Sequence, residues 1–421
     1  MSKLDDLIKE YCPDGVEYKK LGEIGDFYSG LTGKSKDDFK DGNAIFISYK
    51  NVYNNPAVDL NTIERVKISN KEKQNTLKYG DIIFTGSSET PDECAFSSVV
   101  TKKPLEKCYL NSFCFILRLH HTNLLLPDFS KHLFRSEKLR KQLIRTANGV
   151  TRFNVSKKLM KNVIIPVPPL PVQEEIVRIL DNFTELTTEL TTELTARKKQ
   201  YEYYRFNLLD FKNPNPHLKT LLSKYCPDGV PFKKLIDVCD YVDYRGKTPK
   251  KVESGIFLVT AKNIRKGYID YESSKEYIAS DDFDNVMRRG TAKIGDILIT
   301  TEAPCGNVAL VDREDIALAQ RVIKYRCNDE INPRFLLHIL LGKEFQNKLA
   351  KASTGGTVKG IKGSKLHLLE VPVPPLEVQQ EIVRILDEFT LLSAELSAEL
   401  AARKKQYEYY RDELLTFKEL K

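Results

Sequence analysis

Two loops in this chain carry residues that could do phosphate chemistry. "LTGKSK" and "YRGKTP" both contain the Gly-Lys-Ser/Thr end of a phosphate loop, at Gly33 and Gly246. A Walker loop also needs a glycine five residues earlier, so that backbone amides can close around the phosphates. Those positions are Tyr28 and Tyr241, so neither loop signals an NTPase. The Asn-Pro-Pro-aromatic and Asp-Pro-Pro-aromatic tetrapeptides of amino-methyltransferases do not occur; "NNPA" and "NPNP" come nearest. No Gly-x-Gly cofactor loop follows a strand. Six histidines are scattered without a metal pair at helical spacing, and a lone histidine such as His367 is more often a surface or core residue than a ligand. Eight cysteines are spread thinly. Cys108 and Cys114 stand too far apart for a zinc knuckle, and Cys12 and Cys226 sit in matching turns. Reduced thiols and no metal are expected, and nothing assembles into a catalytic site.

Basic and amide residues do cluster, and they do so twice. The two Gly-Lys loops contribute Lys34, Lys36, Arg245 and Lys247. Each is followed by an expected strand ending in Lys-Asn, at Lys50 and Asn51 or at Lys262 and Asn263. Farther on come two Gly-containing basic segments. "RTANGVTRFNVSKK" carries Arg145, Arg152, Asn154 and Lys157, and "KASTGGTVKGIKGSK" carries Lys351, Lys359 and Lys362. Loops of this composition suit phosphate contact, and Arg, Asn and Gln can read base edges. Surface loops are commonly basic, so each cluster alone is weak. Recurrence at corresponding places in two otherwise diverged segments favours double-stranded DNA as the ligand.

A repeat positions these clusters. "PVPPLPVQEEIVRILDNFT" from Pro166 returns as "PVPPLEVQQEIVRILDEFT" from Pro372, and the copies stay in register through the identical "ARKKQYEYYR" at Ala196 and Ala402. A second pair, "YCPDGVEYKKLGEI" from Tyr11 and "YCPDGVPFKKLIDV" from Tyr225, opens the other two segments. Each proline string cannot continue a helix, and each is followed by a long stretch free of Gly and Pro. One helix of about 40 residues, roughly 60 Å long, is expected in each copy. Heptad columns run through Ile176, Phe183, Leu190, Tyr204 and Phe211 and through Leu180, Leu194, Tyr201 and Leu208, and the second copy repeats them. Two such seams suggest that the helices pack on each other. Each helix is acidic first and basic later, so antiparallel packing sets acid against base. The same charges could simply solvate an exposed face and follow the helix dipole.

The tyrosines of the decapeptide combine apolar area with a polar tip, as interface residues do. Three within four residues cannot all face one helix, so Tyr203 should point away from a seam made by Tyr201 and Tyr204. Tyr201, Tyr203, Tyr204 and Arg205, with their copies Tyr407, Tyr409, Tyr410 and Arg411, are the candidate partner-binding residues. Core packing within this chain alone is the plainer alternative.

Length and composition agree with this layout. The chain has 421 residues, enough for two globular cores. Its formal charge of +8 is modest, so only the placement of basic residues is informative. No apolar run approaches the length of a membrane span. "MSKLDDLIKEYCPDG" lacks the features of a secretory signal, and a cytoplasmic protein is expected.

On these repeated motifs the chain resembles the specificity subunit of a type I restriction-modification enzyme. The resemblance covers the whole chain and rests on the proline-to-helix signature present twice. It implies an α+β fold in which two similar globular target-recognition domains alternate with two long helices pairing as an antiparallel coiled coil, with pseudo-two-fold symmetry. The expected segments are 1–165 and 216–371 for recognition and 166–215 and 372–421 for the proline-rich entries and spacer helices. The resemblance also implies two methyltransferase subunits that use S-adenosylmethionine, and motor-nuclease subunits, as partners; no cofactor is expected in this chain. Two different domains would read the two halves of an asymmetric target. The four-residue repeats "LTTELTTEL" and "LSAELSAEL" would let spacer length change. The competing reading is a coiled-coil scaffold for protein partners that does not bind DNA.

Overall fold

The computed structural model describes residues 3–62, 64–244, 248–355 and 359–420. Arg245 and Lys247 lie outside the described residues. The chain divides into two compact units, Met1–Thr191 with Ala398–Lys421, and Thr192–Ser397. Each globular half is therefore packed as one body with a stretch of both long helices.

In the first unit, a four-stranded antiparallel sheet has the order Gly25–Ser29, Cys114–Leu119, Ile82–Thr85, Ser97–Val99. Its central strands are apolar without alternation because both faces are covered. Period two then sorts the side chains. Ile82, Phe84, Phe115 and Leu117 enter a core with Phe129, Leu133, Leu143, Val172, Ile176 and Leu180. Ile83 and Ile116 enter another with Ile47, Val52 and Leu110. That second layer is the sheet Glu64–Val66, Ala44–Ile47, Cys108–Leu110, whose last pair is parallel.

The second unit repeats the plan with Cys239–Asp243, Val322–Cys327, Ile297–Thr300 and Val308–Leu310 in one sheet. Tyr277–Ile278, Ile256–Val259 and Ile316–Leu318 form the other, again with one parallel pair. Ile297, Ile299 and Tyr325 face the long-helix side with Val378, Ile382 and Leu386, while Leu298 and Val322 face the opposite layer.

The two repeated sequence frames meet in space. Glu17–Lys20 pairs antiparallel with Ile164–Val167, setting Tyr18 opposite Pro166, and Phe232–Lys234 pairs with Glu370–Pro372. A two-stranded ribbon tolerates proline because an edge donor can be dispensed with. The long helices follow at Leu170–Leu209 and Leu376–Leu414, 40 and 39 residues.

Buried glutamines explain the "VQ" of each signature. Gln173 is fully buried; its Nε2 donates to Leu124 O (3.0 Å) and Pro168 O (2.8 Å), and its Oε1 accepts from Leu126 N (2.8 Å). Gln379 is buried likewise, with Glu330 O, Pro374 O and Asn332 N. Each amide fastens a long helix to the residue that opens Pro127–Leu133 or Pro333–Leu341.

Histidines continue that attachment. In the first unit His132 Nε2 lies 2.7 Å from Asp181 Oδ1, and its Nδ1 lies 2.8 Å from the Tyr407 hydroxyl. In the second, His338 meets Asp387 (3.1 Å) and Tyr201 (3.2 Å). Burial pushes the His132 imidazole below its ordinary pKa, against the pull of Asp181. Burial alone would raise Asp181, but hydrogen bonds from His132 and Lys131 hold it below the usual carboxylate range.

Candidate nucleic-acid interface

In the first unit, the basic segment after Arg145 folds as a hairpin of Ala147–Asn148 and Phe153–Val155, and the latter strand also pairs with Ser87–Ser88. Gly149 has φ +154°, and a Cβ there would come within 2.0 Å of Arg152 O, so the turn requires glycine. Val150 is 91% exposed at the tip. Arg152 Nη2 donates to Ser87 Oγ (3.1 Å), and its guanidinium lies 5.0 Å from the ring centroid of the exposed Phe113. Asn154, also exposed, sits opposite Ser87 in the ladder.

The short helix Tyr49–Asn54 reaches the same serine. Tyr49 Oη donates to Ser87 O (3.0 Å), and Lys50 beside it is exposed. Tyr53 Oη and Ser88 Oγ both donate to the Glu93 carboxylate, at 3.2 and 2.9 Å. These bonds, with one from Thr90, hold Glu93 below the ordinary carboxylate pKa. Arg152 and Asn154, from one expected segment, thus meet Tyr49 at Ser87, and the exposed Lys50 follows Tyr49 on its helix. A cation stacked on an exposed ring, with hydroxyls nearby, suits phosphate and base contact.

Other candidates lie elsewhere or are occupied. Lys50 and Asn51 do not end a strand, since the strand stops at Ile47 and both residues are helical. The buried Asn51 side chain exchanges both bonds with the backbone of Asp59. Asn263 is fully buried, with Thr260, Asp270 and Ser274 as partners. Amides enclosed in this way are not available to a base edge. Lys34 has a side chain only 4% exposed, donates to Lys67 O (2.6 Å) and pairs with Glu72. Lys36 is exposed on the same loop, at the start of Lys36–Phe39. Arg145 is exposed after helix Glu137–Ile144. Lys157 opens Lys157–Met160 with its amine 5.5 Å from the Phe115 ring centroid, and burial lowers its pKa.

The second unit presents other side chains on the same scaffold. Two residues past the strand Ile297–Thr300, where the first unit has Ser87, stands Glu302; just before Val322–Cys327, where the first unit has Phe113, stands Arg321. These two are ion-paired at 2.9 Å, and Arg321 adopts φ +74°. Gly360 bridges to both Thr354 and Glu302, so the exposed Lys359 occupies the counterpart of the hairpin. Lys262 and Lys362 are also exposed.

The eight helix residues divide by role. Tyr201 and Tyr407 hold the histidines, while Tyr204 stacks on Phe389 (5.0 Å) and Tyr410 on Phe183 (5.3 Å). Arg205 and Arg411 lie 5.0 and 5.6 Å from the Tyr201 and Tyr407 ring centroids. Tyr203 and Tyr409, 66% and 62% exposed, keep free aromatic surface. Sequence reasoning missed Ser87, Glu93 and Phe113. It also missed Tyr49 and Tyr53, whose four-residue spacing around Lys50 was a readable signal. Among the described residues no group of three or more His, Cys, Asp or Glu could hold a metal ion, and no helix is long and apolar enough to cross a membrane.

Residues 13–198 and 227–402 match the family model described as the type I restriction modification DNA specificity domain. The type I restriction enzyme EcoR124I/EcoR124II specificity subunit of Escherichia coli is 33% identical over 288 residues, 62% of this chain and 65% of that protein. A putative type I restriction enzyme specificity subunit of Haemophilus influenzae, S.HindORF215P, is 31% identical over 298 residues, 64% of this chain and 68% of that protein. The match to the first of these relatives thus spans slightly less than two thirds of its length. Among solved structures, the type I restriction-modification S subunit from M. genitalium superimposes with a TM-score of 0.54 over 95% of this chain and 96% of that one. At 14% identity that likeness concerns the fold.

Proposed function

The chain belongs to the type I restriction-modification DNA specificity family, and from that premise we propose that it is the non-catalytic, sequence-reading subunit of a type I restriction-modification complex. The observation that carries this reading is one scaffold presenting two surfaces. Ser87, Phe113 and Arg152 stand in the first unit where Glu302, Arg321 and the Lys359 segment stand in the second. Such a pair reads two different half-sites of double-stranded DNA, whereas identical readers would take a palindrome. The DNA contacts are Lys50, Arg152 and Asn154, with Lys36, Arg145 and Lys157 as flanking phosphate contacts. Lys262, Lys359 and Lys362 serve the other half.

The long helices pair as an antiparallel coiled coil. Within the first unit Phe183 stacks on Tyr410, and within the second Tyr204 stacks on Phe389, which supports this reading. Tyr203 and Tyr409 offer the same aromatic surface twice, suited to two methyltransferase subunits. Adenine methylation, with its S-adenosylmethionine, and cleavage by motor-nuclease subunits belong to those cytoplasmic partners.

The test is to express the chain with the methyltransferase encoded beside it in a host lacking adenine methylation, and to map modified adenines by sequencing. A two-part asymmetric motif with a fixed gap, erased when this chain is omitted, is the expected result. Unmodified DNA from a methyltransferase that is active with another specificity chain refutes the reading.

A further inference from the structure

Beneath the Ser87 cluster lie two guanidiniums that the DNA contacts do not use. Arg135 donates to Ser97 O (2.7 Å), Val52 O (3.0 Å), Tyr53 O (3.0 Å) and Asn55 O (3.4 Å). Arg140, 9% exposed, donates to Ala95 O, Asp92 O (2.8 Å) and Cys94 O (2.8 Å). The two cations lie 4.8 and 4.2 Å from the ring centroid of Phe96. Among the described residues neither has a carboxylate at ion-pair distance. Burial lowers both to about 10, which leaves them charged at neutral pH.

Placing two cations under a loop without counter-charges is costly unless they are hydrogen-bonded. Here Arg135 Nε and Nη2 and Arg140 Nη1 and Nη2 donate to backbone carbonyls of two segments. Three belong to the end of Tyr49–Asn54 and the residue after it, where helical carbonyls lack partners. Three belong to residues 92–95, where Ala95 holds φ +53°, a conformation that persists only when its surroundings enforce it. One segment carries Lys50; the other contains Glu93, which ties Ser88 to Tyr53.

We propose that Arg135 and Arg140 are positioning residues for recognition of one half-site, holding Tyr49–Asn54 and the 91–97 loop in the register that presents Lys50, Ser88 and Arg152 to DNA. The proposal rests on the DNA-reading function given above. The second unit does this differently. Gln346, fourth in helix Lys343–Ala352 as Arg140 is fourth in Glu137–Ile144, donates to Gly306 O (3.0 Å) and Leu340 O (2.7 Å). The counterpart of Arg135 is Leu341, whose side chain cannot donate.

The test uses the full chain in complex with its methyltransferase, on duplexes carrying single base changes in either half of the mapped target. Arg135→Lys keeps the charge and loses the fork that spans several carbonyls; Arg140→Gln borrows the side chain used in the second unit. Each variant is expected to shrink the penalty for wrong bases in one half at least tenfold. The penalties in the other half stay as in the wild type. A uniform fall in binding with both sets of penalties intact overturns the proposal, as does failure of both variants to fold, because either outcome makes the pair structural only. Absence of sequence-dependent binding by the wild type would instead remove the DNA-reading function itself.

Discussion

Replacing Gln173 by Met keeps the length of the side chain and removes all three of its hydrogen bonds. The Pro168 carbonyl, bonded in a buried contact, loses its partner, as do the half-buried Leu124 carbonyl and Leu126 amide. About 2 kcal/mol for the enclosed carbonyl and about 1 kcal/mol for each of the others gives a loss of about 4 kcal/mol. Burial of the thioether in place of the amide returns about 1 kcal/mol. The net of about 3 kcal/mol falls on a unit of about 215 residues. At about 2–4 °C per kcal/mol for this size, Tm drops by about 6–12 °C. Thermal unfolding with amide exchange is the assay, because exchange reads the Leu126 N–H directly. Gln379→Met should do the same to the second unit through Asn332 N. The double variant should lower both units, each by its own amount, since the sites share no partner. A Tm change under about 2 °C with Leu126 protection unaltered refutes the reasoning that these amides fasten the long helices.

The His132 site makes the first unit sensitive to acid. Its folded pKa lies below the ordinary 6.5, so below pH 6.5 the unfolded chain binds a proton that the folded chain refuses, and stability falls with pH. Asp181, held below its ordinary 3.8, contributes above about pH 4 and loses that contribution below it. Denaturant titrations should show the loss beginning near pH 6.5, and His132→Asn should flatten it between pH 6.5 and 5. Arg152→Ala should weaken DNA binding of the complex about tenfold at low salt and reduce the slope of log affinity against log salt by about 1; an unchanged slope refutes phosphate contact. Adding one four-residue unit to both long helices lengthens each by about 6 Å, or about two base pairs. The mapped gap should widen by that amount, and the same gap from an active complex refutes a spacing role.

Some of this architecture was legible because it is written locally. The proline strings and the absence of Gly and Pro after them determine where each long helix starts and how far it runs. The outward face of Tyr203 followed from helical geometry alone. The histidines show the opposite case. His132 looked like one of six scattered residues, since its partners are 49 and 275 residues away. Gln173 gave no sign that it would lose all contact with water.

The candidate interface divides in the same way. Residue type announced cations and amides in loops, but exposure depends on which distant groups fold over them. Asn51 and Asn263 have side chains suited to a base edge, yet Asp59 and Asp270 take their bonds. Lys34 has the charge for a phosphate, and Glu72 and Lys67 enclose it. The sequence by itself determined the duplication, the two long helices and the kinds of residue available for DNA. Only the tertiary structure decided that Tyr49, Arg152 and Asn154 meet at Ser87 while Asn51 turns inward. A chain's local periodicity is set by its backbone, whereas the neighbours that bury or expose a polar group are supplied by segments far along it.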